Sequence, residues 1–272
     1  MESKQQSIEW IFEQLWADYS SLNPNVLRIR KILQDKGEAI VNDHIALRTF
    51  SRPGMRVEDL AKFFLDQGYV YGGDYDFKAK KLRARHLDAP HEGLPKVFIS
   101  ELLLDQCSPM LIERVDHFLE DVDPDVFTKP EFLWAGRQWD TLSYKIYDIL
   151  RQESEYAAWM YVFGFRVNHF TINVNKLQFF TDLDILNAEL KSKGVSLNQA
   201  GGEIKGGETV YLSQSSSIAD KVPINFTEGI HSVPSCFYEF ALRHRMPNGE
   251  LFQGFVADNA DKIFESTNSG PT

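Results

Sequence analysis

The sequence predicts an α+β fold: two copies of a βαβββ module, with helices ahead of the first copy and a helical insertion between the two. Three observations predict it. A strand signal, an amphipathic helix, a glycine stop and further strand signals occur in that order twice, from residue 40 and from residue 165. The spacing agrees between the copies, since Gly68 follows His44 by 24 residues and Gly194 follows His169 by 25. Between the copies, residues 106–162 carry apolar side chains at helical spacing rather than strand alternation. The 272 residues read as a single domain: N-terminal helices 1–38, first module 40–105, insertion 106–162, second module 165–258 and a polar tail 259–272 expected to fray.

Each element has its own signal. Ile8, Ile11 and Leu15, then Val26, Ile29, Ile32 and Leu33, give two helices, with Pro24 in the first turn of the second and Gly37 at its end. After the His44 strand, Val57, Leu60, Ala61 and Phe64 line one helix face, and Gly68 stops it. Residues 69–77, 82–87 and 96–103 read as strands, punctuated by Gly72-Gly73 and by Pro90 with Gly93. In the insertion, Ser108-Pro109 opens a helix with Leu111, Val115 and Leu119 in a row, and 139–161 holds at least one more. In the second module, Phe179, Leu183, Leu186 and Leu190 form the helix face, and 195–198, 210–214, 224–227 and 235–243 are the strand candidates.

Three of these strands share one design. Their apolar faces are Ile45 and Leu47; Phe170, Ile172 and Val174; and Tyr238, Phe240 and Leu242. The opposite faces read His44, Ala46, Arg48; His169, Thr171, Asn173; and Glu239, Ala241, Arg243. Each begins with a group able to bind a metal, continues with a small residue and ends with a polar residue placed to grip a substrate. Two imidazoles and a carboxylate are the facial triad that holds Fe(II) with open positions. A carboxylate and a guanidinium pointing inward from core strands must be paired or bound to something.

Bulk composition bounds the partners. Hydrophobic residues make up 43% and charged residues 25%, as in globular proteins generally, and the net charge is −10. An acidic chain argues against nucleic acid as partner. The longest apolar stretch, 157–165, is far short of a membrane span. Two cysteines, Cys107 and Cys236, make no disulfide framework, so a reducing cytoplasm is the expected location.

The stretches Asn42-Asp43-His44-Ile45-Ala46-Leu47-Arg48-Thr49-Phe50, Pro95-Lys96-Val97-Phe98-Ile99-Ser100-Glu101-Leu102, Val167-Asn168-His169-Phe170-Thr171 and Phe237-Tyr238-Glu239-Phe240-Ala241-Leu242-Arg243 carry a resemblance. The duplicated unit resembles the vicinal-oxygen-chelate modules of glyoxalases and extradiol dioxygenases, in which paired modules form a cupped mixed sheet around a metal. The motifs resemble more closely those of the 2-oxoadipate dioxygenase/decarboxylase (hydroxyglutarate synthase) family, of which this chain looks like a short form. The resemblance implies His44, His169 and Glu239 as Fe(II) ligands and Arg48 as a contact to the substrate carboxylate. It implies a non-haem iron oxidoreductase that takes a 2-oxo acid and O2, with 2-oxoadipate converted to 2-hydroxyglutarate and CO2. A facial triad leaves about three positions, enough for the keto and carboxylate oxygens and for dioxygen.

Further residues are candidates on position. Arg243 could bind substrate or form a salt bridge inside the sheet. Glu101, the counterpart of Glu239 in the first module, could support a ligand histidine or form a structural ion pair. Gln214 and Ser215 could offer amide and hydroxyl contacts to substrate, or form a polar turn. No Ser-His-Asp or nucleophile-elbow pattern occurs, so a hydrolase is disfavoured. Two other readings stand: a non-redox metal lyase or isomerase of glyoxalase type, and a non-catalytic small-molecule binding module on the same fold.

Overall fold

In the computed structural model, which describes residues 7–120 and 122–267, the elements follow the expected order. They are α1 (Ile8–Ser21), α2 (Pro24–Gln34), β1 (Asn42–Phe50), α3 (Val57–Leu65), β2 (Val70–Phe77), β3 (Leu82–Asp88), β4 (Lys96–Leu102), α4 (Pro109–Leu119), α5 (Tyr144–Glu153), α6 (Glu155–Phe163), β5 (Val167–Asn173), α7 (Leu183–Ser192), β6 (Lys205–Gly207), β7 (Leu212–Ser216), β8 (Lys221–Phe226), β9 (Gly229–Pro234), β10 (Phe237–Arg243) and α8 (Ala257–Phe264). No helix among the described residues is long and apolar enough to cross a membrane.

The helix boundaries follow from local chemistry. Ser108, Ser143, Ser154 and Asp182 each accept a backbone N–H three residues on, capping α4, α5, α6 and α7. Gly164, at φ 67°, turns the chain from α6 into β5. A Cβ there would sit 2.3 Å from the Gly136 carbonyl oxygen, so only glycine fits.

The chain packs as two compact units that divide β1 between them. The first holds the described residues up to Ser21, those of Ala46–Val167, and Pro223–His231. Its strands run in the order β2-β3-β4-β1, with β2–β3 and β3–β4 antiparallel. Val57, Leu60, Ala61 and Phe64 of α3 are buried as the helical spacing requires. The insertion forms α4–α6 here, and Trp134 packs edge-on against Trp10 of α1 at 5.7 Å.

The second unit holds Leu22–Ile45, Asn168–Val222 and the described residues from Ser232 onward. From β1 its strands run β5-β10-β7-β6. β10 is parallel to β5 and antiparallel to β7, and β6 is antiparallel to β7. The βαβββ order therefore holds in both halves of the sequence.

Four local expectations are corrected. Phe179 precedes α7 and is 60% exposed, because the helix begins only at Leu183 after the Asp182 cap. Residues 195–198 form one bridge, between Leu197 and Ser217, and the edge strand is instead the short β6. The 224–227 signal belongs to β8, which pairs with β9 in a separate two-stranded sheet. The segment from residue 259 does not fray as far as Thr267: α8 buries Asn259 and Ile263, and Ser266 and Thr267 are buried after it. The remaining residues of that segment, 268–272, lie outside the described ones.

One buried acid fixes the chain after β5. Glu38 is 4% exposed, and its carboxylate accepts the backbone N–H groups of Gln178, Phe179 and Phe180 at 2.8, 2.7 and 3.3 Å. Glu38→Ala leaves these amides without their acceptor, and is expected to lower the unfolding free energy by about 3 kcal/mol. Urea denaturation with an unchanged slope checks this; a change below about 0.5 kcal/mol, typical of a neutral surface substitution, would refute it.

Candidate metal centre

Period-two alternation brings three side chains of the second unit together. His44 comes from β1, His169 from β5 and Glu239 from β10, and all three are buried. In the parallel pairing, Phe237 lies opposite His169 and Glu239 opposite Thr171, so the carboxylate sits two residues beyond the imidazole on the same face. One ligand atom from each residue lies within 4.8 Å of the others. Glu239 Oε2 is 3.2 Å from His169 Nε2, and Glu239 Oε1 is 3.6 Å from His44 Nε2.

These separations suit a shared ion. With bonds of about 2.1 Å, donors on adjacent positions of an octahedral ion lie about 3 Å apart. The Thr171 hydroxyl is 3.0 Å from His44 Nε2, so the small residue borders the cluster. No other group of three or more potential ligand residues occurs among the described residues. The donor set of two imidazoles and a carboxylate fits Fe(II) by chemistry as well as spacing.

Each ligand is held by a neighbour. Asp43 Oδ1 lies 2.8 Å from His44 Nδ1, and Asn168 Oδ1 lies 3.1 Å from His169 Nδ1. Both acceptors fix the proton on Nδ1 and leave Nε2 facing the cluster. Gln214 Nε2 donates to Glu239 Oε1 at 2.6 Å. Rings cover the site: Phe237 stacks on His169 at 4.6 Å, and Phe255 meets His44 edge-on at 4.7 Å.

The electrostatics follow the same contacts. Burial pushes the Glu239 carboxyl up, but His44, His169 and the Gln214 amide together outweigh it and hold the group below its ordinary value. Burial likewise pushes Asp43 up. Arg243 and His44 overcome that and hold Asp43 well below the usual carboxylate range. Both acids are therefore carboxylates at neutral pH.

The other sequence-derived candidates fall differently. Arg48 is buried in the first unit, its guanidinium 4.9 Å from the ring of Tyr156 and 5.0 Å from that of Trp159. Arg243 does not present its fork to a substrate. Nε and Nη2 grip Asp43 at 2.7 and 2.8 Å, and Nη1 donates to the Phe252 and Gly254 carbonyls at 3.0 and 2.8 Å. Glu101 supports no ligand histidine. It accepts Val57 N–H at 2.8 Å at the start of α3 and pairs with Arg83 at 2.9 Å, so it lies on the helix-bearing face of β4. Ser215 points away from Glu239 as well: it pairs with Phe240 and donates to Asn187 of α7. Gln214 lies beside the site, but its amide is committed to Glu239 and to Asn259.

Sequence reasoning missed Asp43, Asn168, Phe237, Phe255 and Asn259. The first two had a signal, since each ligand histidine is directly preceded by Asp or Asn. Phe255 and Asn259 share helical spacing with Ile263, but nothing in the sequence ties that segment to the site.

A duplicated βαβββ fold carrying two buried histidines and a buried glutamate defines a vicinal-oxygen-chelate fold with a metal-type cluster. A solved structure from Ralstonia eutropha JMP134, provisionally assigned to the glyoxalase superfamily, shares that fold at TM-score 0.74 and 22% identity, covering 91% of this chain and 85% of its own. The chain belongs to the 2-oxoadipate dioxygenase/decarboxylase family, whose profile matches residues 12–251. The rice enzyme of that name, chloroplastic/amyloplastic, is 35% identical over 92% of this chain and 76% of its own length. The crystal structure of hydroxyglutarate synthase from Oryza sativa in complex with 2-oxoadipate matches at TM-score 0.87 and 33% identity, over 95% of this chain and 91% of that one. A structure from Shewanella frigidimarina NCIMB 400 matches at TM-score 0.88 and 45% identity, over 92% and 98%, and carries a provisional hydrolase name.

Glu239→Gln replaces an anionic ligand by a neutral amide of the same shape. It is expected to weaken Co(II) binding to the apo-protein at least tenfold, or about 1.4 kcal/mol, with the fold retained. Calorimetric titration checks this; unchanged affinity would remove Glu239 from the ligand set.

Proposed function

We propose that this chain is an Fe(II)-dependent dioxygenase/decarboxylase that converts 2-oxoadipate and O2 to 2-hydroxyglutarate and CO2. The observation that carries the reading is the buried convergence of His44, His169 and Glu239, in a chain whose family relatives bear that activity in their names. The reaction balances without a second organic substrate: the carboxylate next to the keto group leaves as CO2, one atom of O2 enters the new carboxylate at the former keto carbon, and the other becomes the new hydroxyl.

Fe(II) held by the three ligands supplies dioxygen activation and a contact for the keto acid. The protein supplies the rest. Asp43 and Asn168 hold the two imidazoles with Nε2 toward the site, and Gln214 fixes one Glu239 oxygen. Phe237 and Phe255 exclude water from the histidines, which disfavours hydrolytic and radical side reactions. Arg48 lies on the His44 face of β1 by alternation, and we assign it the substrate carboxylate, to which its planar fork is matched. Two buried free cysteines, Cys107 and Cys236, suit a reducing cytoplasm.

The test is oxygen consumption by the Fe(II)-loaded protein across a panel of 2-oxo acids. One CO2 per O2, a 2-hydroxy acid one carbon shorter, and no need for added 2-oxoglutarate are the expected results. Turnover of a 2-oxo acid without oxygen, or with zinc in place of iron, would support the lyase or isomerase reading instead.

Arg48→Lys keeps the charge and loses the fork. It is expected to reduce kcat/KM for 2-oxoadipate by about tenfold to hundredfold, as loss of a charged hydrogen bond worth about 1.5–3 kcal/mol implies, with metal content unchanged. Unchanged kcat/KM would remove Arg48 from the carboxylate role.

A further inference from the structure

Three separate contact chains lead from the ligands to one stretch near the C-terminus, residues 252–263. On the His44 side, Phe252 and Gly254 carbonyls accept from Arg243 Nη1, Arg243 clamps Asp43 through Nε and Nη2, and Asp43 accepts from His44 Nδ1. Phe255 from the same stretch packs on both His44 and the Arg243 guanidinium, at 4.7 and 5.3 Å. On the Glu239 side, Asn259 Nδ2 donates to Gln214 Oε1 at 3.1 Å, and Gln214 Nε2 donates to Glu239 Oε1 at 2.6 Å. On the His169 side, Ile263 forms a buried cluster with Phe237 and Ala219, and Phe237 stacks on the imidazole.

The chemistry of each chain fixes a direction. A bidentate guanidinium–carboxylate pair permits one relative orientation, so Asp43 cannot swing away from His44 while Arg243 is held. Holding Arg243 are two main-chain carbonyls, which depend on the path of residues 252–254. The Gln214 amide has two ends: Asn259 takes its oxygen, which leaves its N–H group for Glu239. Asn259 gets this close because Gly206 of β6 has no Cβ; one there would lie 2.4 Å from Asn259 Nδ2. Gly206 also adopts φ 76°, which favours glycine.

We propose that residues 252–263 are the positioning element of the metal centre, acting through Arg243–Asp43 on His44, through Asn259–Gln214 on Glu239, and through Ile263–Phe237 on His169. This rests on the reading of His44, His169 and Glu239 as metal ligands. Arg243 and Asn259 are positioning residues, neither of them a ligand. Partners of this kind alter metal affinity by about tenfold to hundredfold when removed.

The experiment compares wild type, Glu239→Gln, Arg243→Lys and Asn259→Ala as apo-proteins titrated with Co(II), following affinity by calorimetry and coordination by the visible absorption of the bound ion. Arg243→Lys and Asn259→Ala are expected to weaken Co(II) binding by about tenfold or more and to alter the spectrum. A role in stability alone would lower the melting temperature of the apo-protein and leave the bound-ion spectrum as in wild type; that result overturns the proposal. Should Arg243→Lys fail to fold, Asn259→Ala tests the second chain by itself. Wild-type binding abolished by Glu239→Gln but unaffected by the other two would overturn the positioning role while leaving the ligand assignment intact. Wild type that binds no Co(II) would overturn the ligand assignment, and the positioning role with it.

Discussion

Ionisable groups buried in a sheet must be compensated, and the rest of the second unit is arranged around that requirement. Glu239 is 1% exposed, His44 2% and His169 4%. An isolated buried carboxylate would cost several kcal/mol and take up a proton instead. Here it faces two imidazoles and a primary amide, and it stays ionised. Compensation and chemistry are the same arrangement, because an ionised carboxylate between two Nε2 atoms is also a donor set able to hold a divalent cation.

The two imidazoles are held by different chemistry. His44 faces an ionised Asp43 that is itself locked by Arg243, whereas His169 faces the neutral amide of Asn168. The Asp43–Arg243 pair is also fully satisfied within the protein. Breaking such a buried pair by removing one partner costs about 3–5 kcal/mol, so it fixes β1 against β10 as well as orienting a ring.

The module's repetition does not extend to its acids. Glu101 is the sixth residue of β4 and Glu239 the third of β10, an odd offset between equivalent strands, and Glu101 caps α3 and pairs with Arg83 on the helix-bearing face. Side chains alternate with period two, so a one-residue difference in register sends a carboxylate to the other face. One duplicated acid thus stabilises a helix start, and the other joins the metal-type cluster. Ser215 and Gln214 divide in the same way, one toward α7 and the other toward Glu239.

The period of two and the helical spacing of three to four were readable in the chain itself, because both are set by local backbone geometry. They were enough to place β1, β5 and β10, to put His44, His169 and Glu239 on their polar faces, and to order both modules. They could not decide what lies across from a side chain. Arg243 was legible as an inward-facing cation, but only the fold shows that Asp43, 200 residues away, takes its fork. Residues 259–272 looked like an uninformative polar tail after the second module, and the three- and four-residue spacing of Phe252, Phe255, Asn259 and Ile263 does not say what those side chains pack against. Their position over the three ligands is a matter of long-range packing, which sequence spacing does not encode and the tertiary structure alone decides.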